Sequence, residues 1–575
     1  MLKLFKNLRP YRLAIAFVLI LVFIQSLSDL YLPTLMADIV DKGIVEGDIP
    51  YIWQIGGIML LIAGIGAICS IGASYFSSRV AVGFGQRLRS KMFNHVQNFS
   101  LQEFDKIGTA SLITRTTNDI NQVQQVLIML LRMMISAPMM CIGGIVMAVN
   151  KDAKLSLVIV VVIPVLVGAI AIIALKGLPL FKAMQVKLDT LNRVLRENLT
   201  GMRVIRSFNR TEHETKRFND ANVDLTNTAI KVNKIMAAMM PIMMLVMNFA
   251  TIAIVWFGGI RISNGDMQVG SLMAFIQYAA QIMFSLIMVS VIFVIVPRAS
   301  ASATRINEVL NMVPEINDPA QPRQDNGKRG YLAFEDVTFY YPGAEQPAIS
   351  NISFDASPGE TTAIIGGTGS GKSTLLSLIP RFYDVGSGRV LIDGVDVREL
   401  TQEQLRAKIG FVPQKSVLFT GTIAENIRYG KEDASDEEIQ HAAEIAQATE
   451  FISNMKDGFE SDIAQGGSNI SGGQKQRLSI ARALVRDPEV YVFDDSFSAL
   501  DFKTDSKLRA AMKEVTANAT VLLVAQRVST VMDADRIIVL DDGGIVGIGK
   551  HRELMATCDV YREIVSSQLS EEESA

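Results

Sequence analysis

Ala363-Ile364-Ile365-Gly366-Gly367-Thr368-Gly369-Ser370-Gly371-Lys372-Ser373-Thr374-Leu375-Leu376 is the stretch on which the reading of this 575-residue chain turns. Three apolar residues of strand character run into a glycine-rich turn, and the turn runs into a Leu-Leu pair suited to a helix. Strand, loop and helix in that order are the setting a phosphate-binding loop requires. Glycines at Gly366, Gly367, Gly369 and Gly371 let backbone N–H groups converge on the β- and γ-phosphates of a nucleotide, helped by the helix N-terminus. Lys372 is expected to meet phosphate oxygens and Ser373 to ligate magnesium, with Ser370, Thr368 and Thr374 completing the loop.

Around this loop, from Tyr331 onward, short β-rich runs such as Thr361 to Ile365, Val490 to Phe493 and Val521 to Val524 alternate with helical stretches. The alternation predicts an α/β domain with a largely parallel sheet. Farther along, Asn469-Ile470-Ser471-Gly472-Gly473-Gln474-Lys475-Gln476-Arg477 is a second glycine-bearing turn at an expected helix start. Ser471 and the backbone near Gly473 are placed to donate to a γ-phosphate. One loop already serves one nucleotide, so a second cradle makes sense if it serves a nucleotide held by another copy or a partner.

The N-terminal half has a different composition. Overall 49% of residues are hydrophobic and the formal charge is only -3, and the apolar surplus lies before about Leu310. No basic excess exists to neutralise a nucleic-acid backbone. Cys69, Cys141 and Cys558 show no C-x-x-C spacing, so neither a disulfide framework nor a zinc site is expected. Runs long enough to cross about 30 Å of hydrocarbon fall near Leu13 to Val40, Ile52 to Phe76, Val126 to Val149, Leu155 to Leu175, Ile235 to Gly259 and Met273 to Val296. Short links alternate with long polar ones, and the long ones carry Arg79, Arg87, Arg89 and Lys91, then Arg193, Arg196, Arg203 and Arg206. With Lys3, Lys6, Arg9 and Arg12 ahead of the first run, the positive-inside rule puts the long links and both termini in the cytoplasm. Few Gly or Pro residues interrupt the long links, so helical extensions are expected there. The division expected is a six-helix, all-α transmembrane domain at 1–310, a Pro/Asp/Gln/Asn-rich linker at 311–330 and an α/β P-loop nucleotide-binding domain at 331–575.

Six spans joined to such a domain resemble a half-transporter of the ATP-binding cassette (ABC) exporter family over nearly the whole chain. The motifs carrying the resemblance are the P-loop, Gln414 in Val412-Pro413-Gln414, the signature Ser471 to Gln474, Asp494 closing Val490-Tyr491-Val492-Phe493-Asp494, and Ser498-Ala499-Leu500-Asp501. The resemblance implies ATP and Mg2+ as cofactors, with Ser373, Gln414 and Asp494 serving the metal and Asp501 beside the shared nucleotide. It also implies that Tyr341 stacks on adenine, as aromatic faces suit a base. Short coupling helices are implied near Phe104 to Ser111 and near Arg206 to Phe218.

Four positions depart from the family pattern. Asp495 stands where a Glu acts as general base, one methylene shorter, and Gln526 stands where a His contacts the γ-phosphate. Gln465 and Gly466 replace an acidic-basic pair. Intact binding motifs beside altered chemical ones imply retained ATP binding with slow or absent hydrolysis at this chain's own site. The intact signature would then serve a second half-transporter subunit that carries the Glu and the His. The expected whole is an asymmetric heterodimer in the cell membrane, resembling bacterial multidrug exporters; a mainly regulatory, ATP-holding subunit is the alternative class.

For the cargo, Met243 and Met247 sit in a methionine-rich fifth span with Met236, Met239, Met240 and Met244. Such side chains repack around varied apolar molecules, and equally they fill cores or face lipid. Gln277, Gln281 and Ser285 form a polar row at helical spacing, and Asp29 is costly in hydrocarbon unless it faces a cavity or gate. These residues suggest an amphiphilic small molecule, with a lipid or hydrophobic peptide as the alternative. The first span begins near residue 13, which leaves no room for an N-terminal peptidase domain and lowers the case for a processing peptide exporter.

Overall fold

Uninterrupted apolar sequence has one open-ended solution in hydrocarbon, a helix that bonds all its own backbone groups. The computed structural model, which describes residues 2–323 and 329–568, has six helical stretches long and apolar enough to span a membrane: Lys3–Ile44, Ile49–Gln97, Thr109–Lys151, Leu157–Thr200, Thr211–Ser263 and Val269–Asn311. Five of the six expected apolar runs lie inside them and the fourth, Leu155 to Leu175, begins two residues before its helix, while the polar links with Arg79 to Lys91 and Arg193 to Arg196 are continuations of helix. Part of the expected linker, 324–328, lies outside the described residues. The chain divides into two units, Met1–Gln97 with Ala110–Met312, and Asn98–Thr109 with Val313–Ala575.

In the first unit the first span shows its outer face plainly. Leu13, Phe17, Ile20, Ile24, Leu27 and Tyr31 are all exposed and recur every three to four residues, the stripe an α-helix offers to lipid. The opposite side packs against the sixth span through Tyr278, whose hydroxyl donates to the Leu30 carbonyl (3.1 Å) and lies 2.6 Å from Thr34 Oγ1. Near the end of the first span, Asp41 accepts from the Gly270 and Ser271 amides at 2.6 and 3.1 Å, capping the start of the sixth. A side chain at Gly270 would put its Cβ 2.4 Å from the Ala37 carbonyl oxygen, so only glycine permits this approach.

Two short helices depart from the expected coupling segments. The first is Leu101–Ile107, three residues earlier than expected, because Ser100 and Glu103 form a reciprocal capping box that starts it. The second is Met202–Ser207. Asn209 adopts φ +52 and breaks the helix, so the expected 206–218 segment straddles that break and runs into Thr211–Ser263.

The second unit holds the expected parallel sheet, in the order Gly544–Gly549, Arg536–Asp541, Thr361–Gly366, Thr520–Val524, Val490–Asp494, Ile409–Val412, with only the Gly544–Gly549 edge antiparallel. It also holds a second sheet that the sequence reading lacked. Ile349–Ala356, Leu332–Phe339, Ser387–Ile392 and Val395–Asp396 pair antiparallel, and Phe334 stacks on Phe354 at 4.8 Å across it. Leu375, Leu376 and Ile379 of the helix after the P-loop bury against both sheets. Burial of each such side chain contributes about 1.5–3 kcal/mol, which holds the loop's helix firmly below its glycines.

Candidate nucleotide site

The strand Thr361–Gly366 delivers the loop, and the helix Lys372–Leu378 leaves it. Glycine is required within it. Gly371 has φ +94, and a Cβ there would stand 2.8 Å from the Ala348 carbonyl oxygen; Gly369 has φ +87. Lys372 folds back over its own loop, its ammonium donating to the Gly366 and Gly367 carbonyls at 2.9 and 2.6 Å and to Ser370 Oγ at 3.3 Å. Burial lowers the Lys372 pKa, against the pull of Asp495 and Asp494.

Near the lysine the strand Val490–Asp494, one strand beyond Thr520–Val524 in the sheet, ends in Asp494, and Asp495 follows directly. Ser373 Oγ donates to Asp494 Oδ1 at 3.1 Å, which brings together the two side chains expected to serve a metal. Burial raises the Asp494 pKa; the Ser373 hydroxyl opposes the rise, Asp495 adds to it and Lys372 opposes it. Among the described residues no group of three or more His, Cys, Asp or Glu could hold a metal unaided. A hydroxyl and a carboxylate, next to a second carboxylate and a lysine, do suit a magnesium ion that completes its shell with water and phosphate oxygens. The residues present therefore fit Mg-ATP.

Asp495 adopts φ +47 at the sharp turn after the strand and is buried. Its Oδ2 accepts from two amides, Gln414 Nε2 at 3.1 Å and Gln526 Nε2 at 3.0 Å. The three departing or loop-borne residues thus form one network, held by the parallel strands that precede Gln414, Asp495 and Gln526.

These groups line a cleft of about 580 Å³ that also includes Tyr341, Gly366, Gly367, Thr368, Gly369, Gly371, Lys372, Ser373 and Thr374. Tyr341 sits at its edge, with its hydroxyl 3.0 Å from Thr374 Oγ1 and its ring edge-on to Phe339 and Tyr383. Tyr383 in turn reaches Asp105 of the first short helix at 3.5 Å, and burial together with Asp105 pushes its hydroxyl up to about 12.

Several expected residues lie elsewhere. Ser370 is folded inside the loop, beneath Lys372, rather than lining the cleft. Asp501 caps the helix Phe502–Val515, accepting from the Thr504 amide at 2.9 Å, because an Asp at that position satisfies a free helix N–H. Ser471 to Gln474, expected to serve a partner's nucleotide and not this chain's own, stand outside this cleft. Ser471 accepts from the Gln474 amide while the Gln474 side chain accepts from the Ser471 amide, a self-satisfied capping box. Nearby, Gly466 and Gly467 take φ +64 and +67, which explains why glycine stands in the departing pair. The sequence reading missed Ala348, Val524, Ile564, Ser567 and Gln568, which complete the cleft wall. The last three come from the C-terminal helix Asp559–Ser566 and the two residues after it, and carry no motif.

The expected cargo residues form no open wall. Met243 is 3% exposed and packs with Ala250, Ile254 and Phe275, and Met247 packs against the same cluster. Ser285 is buried with its hydroxyl on the Ile282 carbonyl at 2.7 Å, and Gln281 donates to the Asp29 carbonyl at 3.1 Å. Gln277 is exposed and Asp29 partly so. Met243, Met247, Gln281 and Ser285 are thus drawn into helix packing while Met236, Met240, Met244 and Gln277 stay exposed, since a uniformly apolar span lets its neighbours choose which face is buried.

A P-loop with a paired Ser373 and Asp494, in a chain with six spans, defines an ATP-driven membrane transporter. The comparisons agree: the ABC transporter transmembrane region matches residues 15–286 and the ABC transporter domain residues 349–498. The chain belongs to the ABC transporter family and is an exporter half-transporter, a multi-pass membrane protein with one transmembrane and one ATP-binding domain. It is 45% identical to an uncharacterized ABC transporter ATP-binding protein of Mycobacterium tuberculosis, over 98% of this chain and 97% of that protein. It is 32% identical to the ATP-dependent lipid A-core flippase of Chromobacterium violaceum, over 95% and 94%. A solved bacterial Atm1-family ABC exporter with ATP bound superposes with a TM-score of 0.80 at 26% identity, covering 97% of this chain and 99% of that one.

Proposed function

We propose that this chain is one half of a heterodimeric exporter of the plasma membrane, with cytoplasmic termini, that moves amphiphilic compounds outward and holds ATP at its own P-loop more than it hydrolyses it. The observation that carries the reading is the Asp495 carboxylate, whose Oδ2 already accepts from Gln414 and Gln526. An oxygen already occupied by two N–H donors is not free to accept from a water, and an Asp is one methylene short of reaching a water that a Glu would polarise. The binding groups Lys372, Ser373 and Asp494 keep their places, so ATP and magnesium are retained. The Ser471 to Gln474 turn would complete the site of a partner subunit with a Glu and a His at the two altered positions. ATP closure of the paired domains then turns the transport path outward, and hydrolysis at the partner's site resets it.

The test is turnover by the purified full chain, alone and with a candidate partner. Alone, it is expected to bind ATP with little hydrolysis, and Asp495→Glu is expected to raise turnover less than about tenfold because Gln526 remains. Vigorous, substrate-stimulated turnover by the chain alone, or full recovery in the single variant, overturns the proposal. A second reading of the cargo, lipid flipping, draws support from the lipid A-core flippases among the relatives. Reconstituted vesicles with fluorescent lipid on one arm and an amphiphilic dye on the other separate the two.

A further inference from the structure

The switch segment Gln526–Val528 has three side chains with three different tasks. Gln526 donates to Asp495, Arg527 donates through Nη2 to the Ser498 carbonyl at 3.1 Å, and Val528 is fully buried. Ser498 is itself tied to Asp495, its hydroxyl donating to the Asp495 carbonyl at 2.9 Å. The orientation of this one tripeptide therefore sets both the altered catalytic pair and the loop that runs on to Asp501.

Something must fix the tripeptide from its other side, and the C-terminal helix Asp559–Ser566 does so. Its Tyr561 and Val565 are fully buried in one apolar cluster with Val528, Val531 and Ala525. Just beyond its end, Gln568 Nε2 donates to the Gln526 carbonyl at 2.8 Å, and Gln568 Oε1 accepts from the Val528 amide at 2.9 Å. One side-chain amide thus brackets Arg527 with a donor and an acceptor, as the peptide of a neighbouring strand brackets a residue in a sheet.

We propose that Gln568 is a positioning residue for the nucleotide site, and that its amide clamps Gln526–Arg527–Val528 so that Gln526 faces Asp495 and Arg527 faces Ser498. The clamp makes the C-terminal helix part of the ATP site although no nucleotide-binding motif includes it. Its bearing on ATP rests on the reading of Gln526 as the residue on the γ-phosphate side. Both bonds run between side chain and backbone at the rim of the cleft, so each has the modest strength of a partly solvated hydrogen bond, and the clamp is a means of orientation rather than of fold stability.

The experiment uses the full chain in lipid nanodiscs, with Gln568→Ala and Gln568→Glu. Hydrogen exchange at the Val528 amide is expected to rise about fivefold in Gln568→Ala, the loss of one ordinary hydrogen bond, and to stay protected in Gln568→Glu, which keeps the accepting oxygen. Release of ATP is expected to quicken about threefold in both, because both lose the donor to the Gln526 carbonyl. Exchange at Val528 unchanged in Gln568→Ala, or rising equally along the strand Thr520–Val524, overturns the clamp. So does ATP release unchanged in both variants. The outcome is separable from the slow-site reading, because the Val528 exchange decides the clamp whether or not the wild-type chain hydrolyses quickly.

Discussion

The nucleotide cleft and the interior of the span bundle both set polar groups in apolar surroundings, yet they satisfy them in opposite ways. In the cleft, Lys372 and Ser373 follow the strand Thr361–Gly366, while Asp494 and Asp495 stand at the end of the parallel strand Val490–Asp494, with Thr520–Val524 between the two, and their bonds join side chains to loops a few residues away or to each other. In the span interior, Tyr278, Gln281 and Ser285 donate to helix carbonyls, two of them on another span. Cleft bonds are easily exchanged for those of a ligand, since Lys372 holds its loop through two carbonyls and a hydroxyl, neutral acceptors that an anionic phosphate displaces. Interior bonds are exchanged only if helices move. Affinity for ATP is thus written locally, whereas the choice of cargo is written in how the helices pack.

The comparison can be broken first at Lys372. Lys372→Ala is expected to weaken Mg-ATP about 100-fold, measured by calorimetry, while leaving thermal unfolding of the spans in place, because charge-assisted phosphate bonds are lost from one unit only. Next in size is Met243→Ala, which as a packed residue should cost about 2–3 kcal/mol of stability in detergent unfolding. If instead stability holds and only transport changes, Met243 belongs to a cargo wall and the contrast fails. The smallest effect is in pH. Binding magnesium requires ionised Asp494, and burial raises its pKa, so as pH falls the affinity for Mg-ATP should begin to drop at a higher pH than an ordinary aspartate would give, approaching tenfold per unit below that point. A titration of the dissociation constant from pH 7 to about 4.5 sharpens the picture, and an onset at an ordinary aspartate's value would contradict it.

Much of the cleft was legible because its chemistry is compressed into short spacings. The run from Gly366 to Thr374 states its own strand, turn and helix, and the six apolar runs announce helices by length alone. Other parts depend on pairs far apart in sequence. The antiparallel sheet needs Leu332–Phe339 to find both Ile349–Ala356 and Ser387–Ile392, and no local pattern separates that from the parallel strands. Gln568 meets Gln526 across 42 positions through a side-chain amide that any surface glutamine possesses. Met243 shows the opposite difficulty: on a helix apolar all round, neither hydropathy nor spacing says which face is inside. Asp501 caps a local helix, and its expected place beside the shared nucleotide comes from resemblance alone.

Asp41 bears on how such a protein can open. Its carboxylate grips the leading amides of the Val269–Asn311 helix from the end of the first span, and each charge-assisted bond is worth about 1.5–3 kcal/mol. Prising those two helix ends apart would strand a buried anion and two bare N–H groups at once. Like a pair of oars lashed at one end, the first and sixth spans can swing together or scissor about that knot, and any gap through which a molecule leaves has to form along other seams.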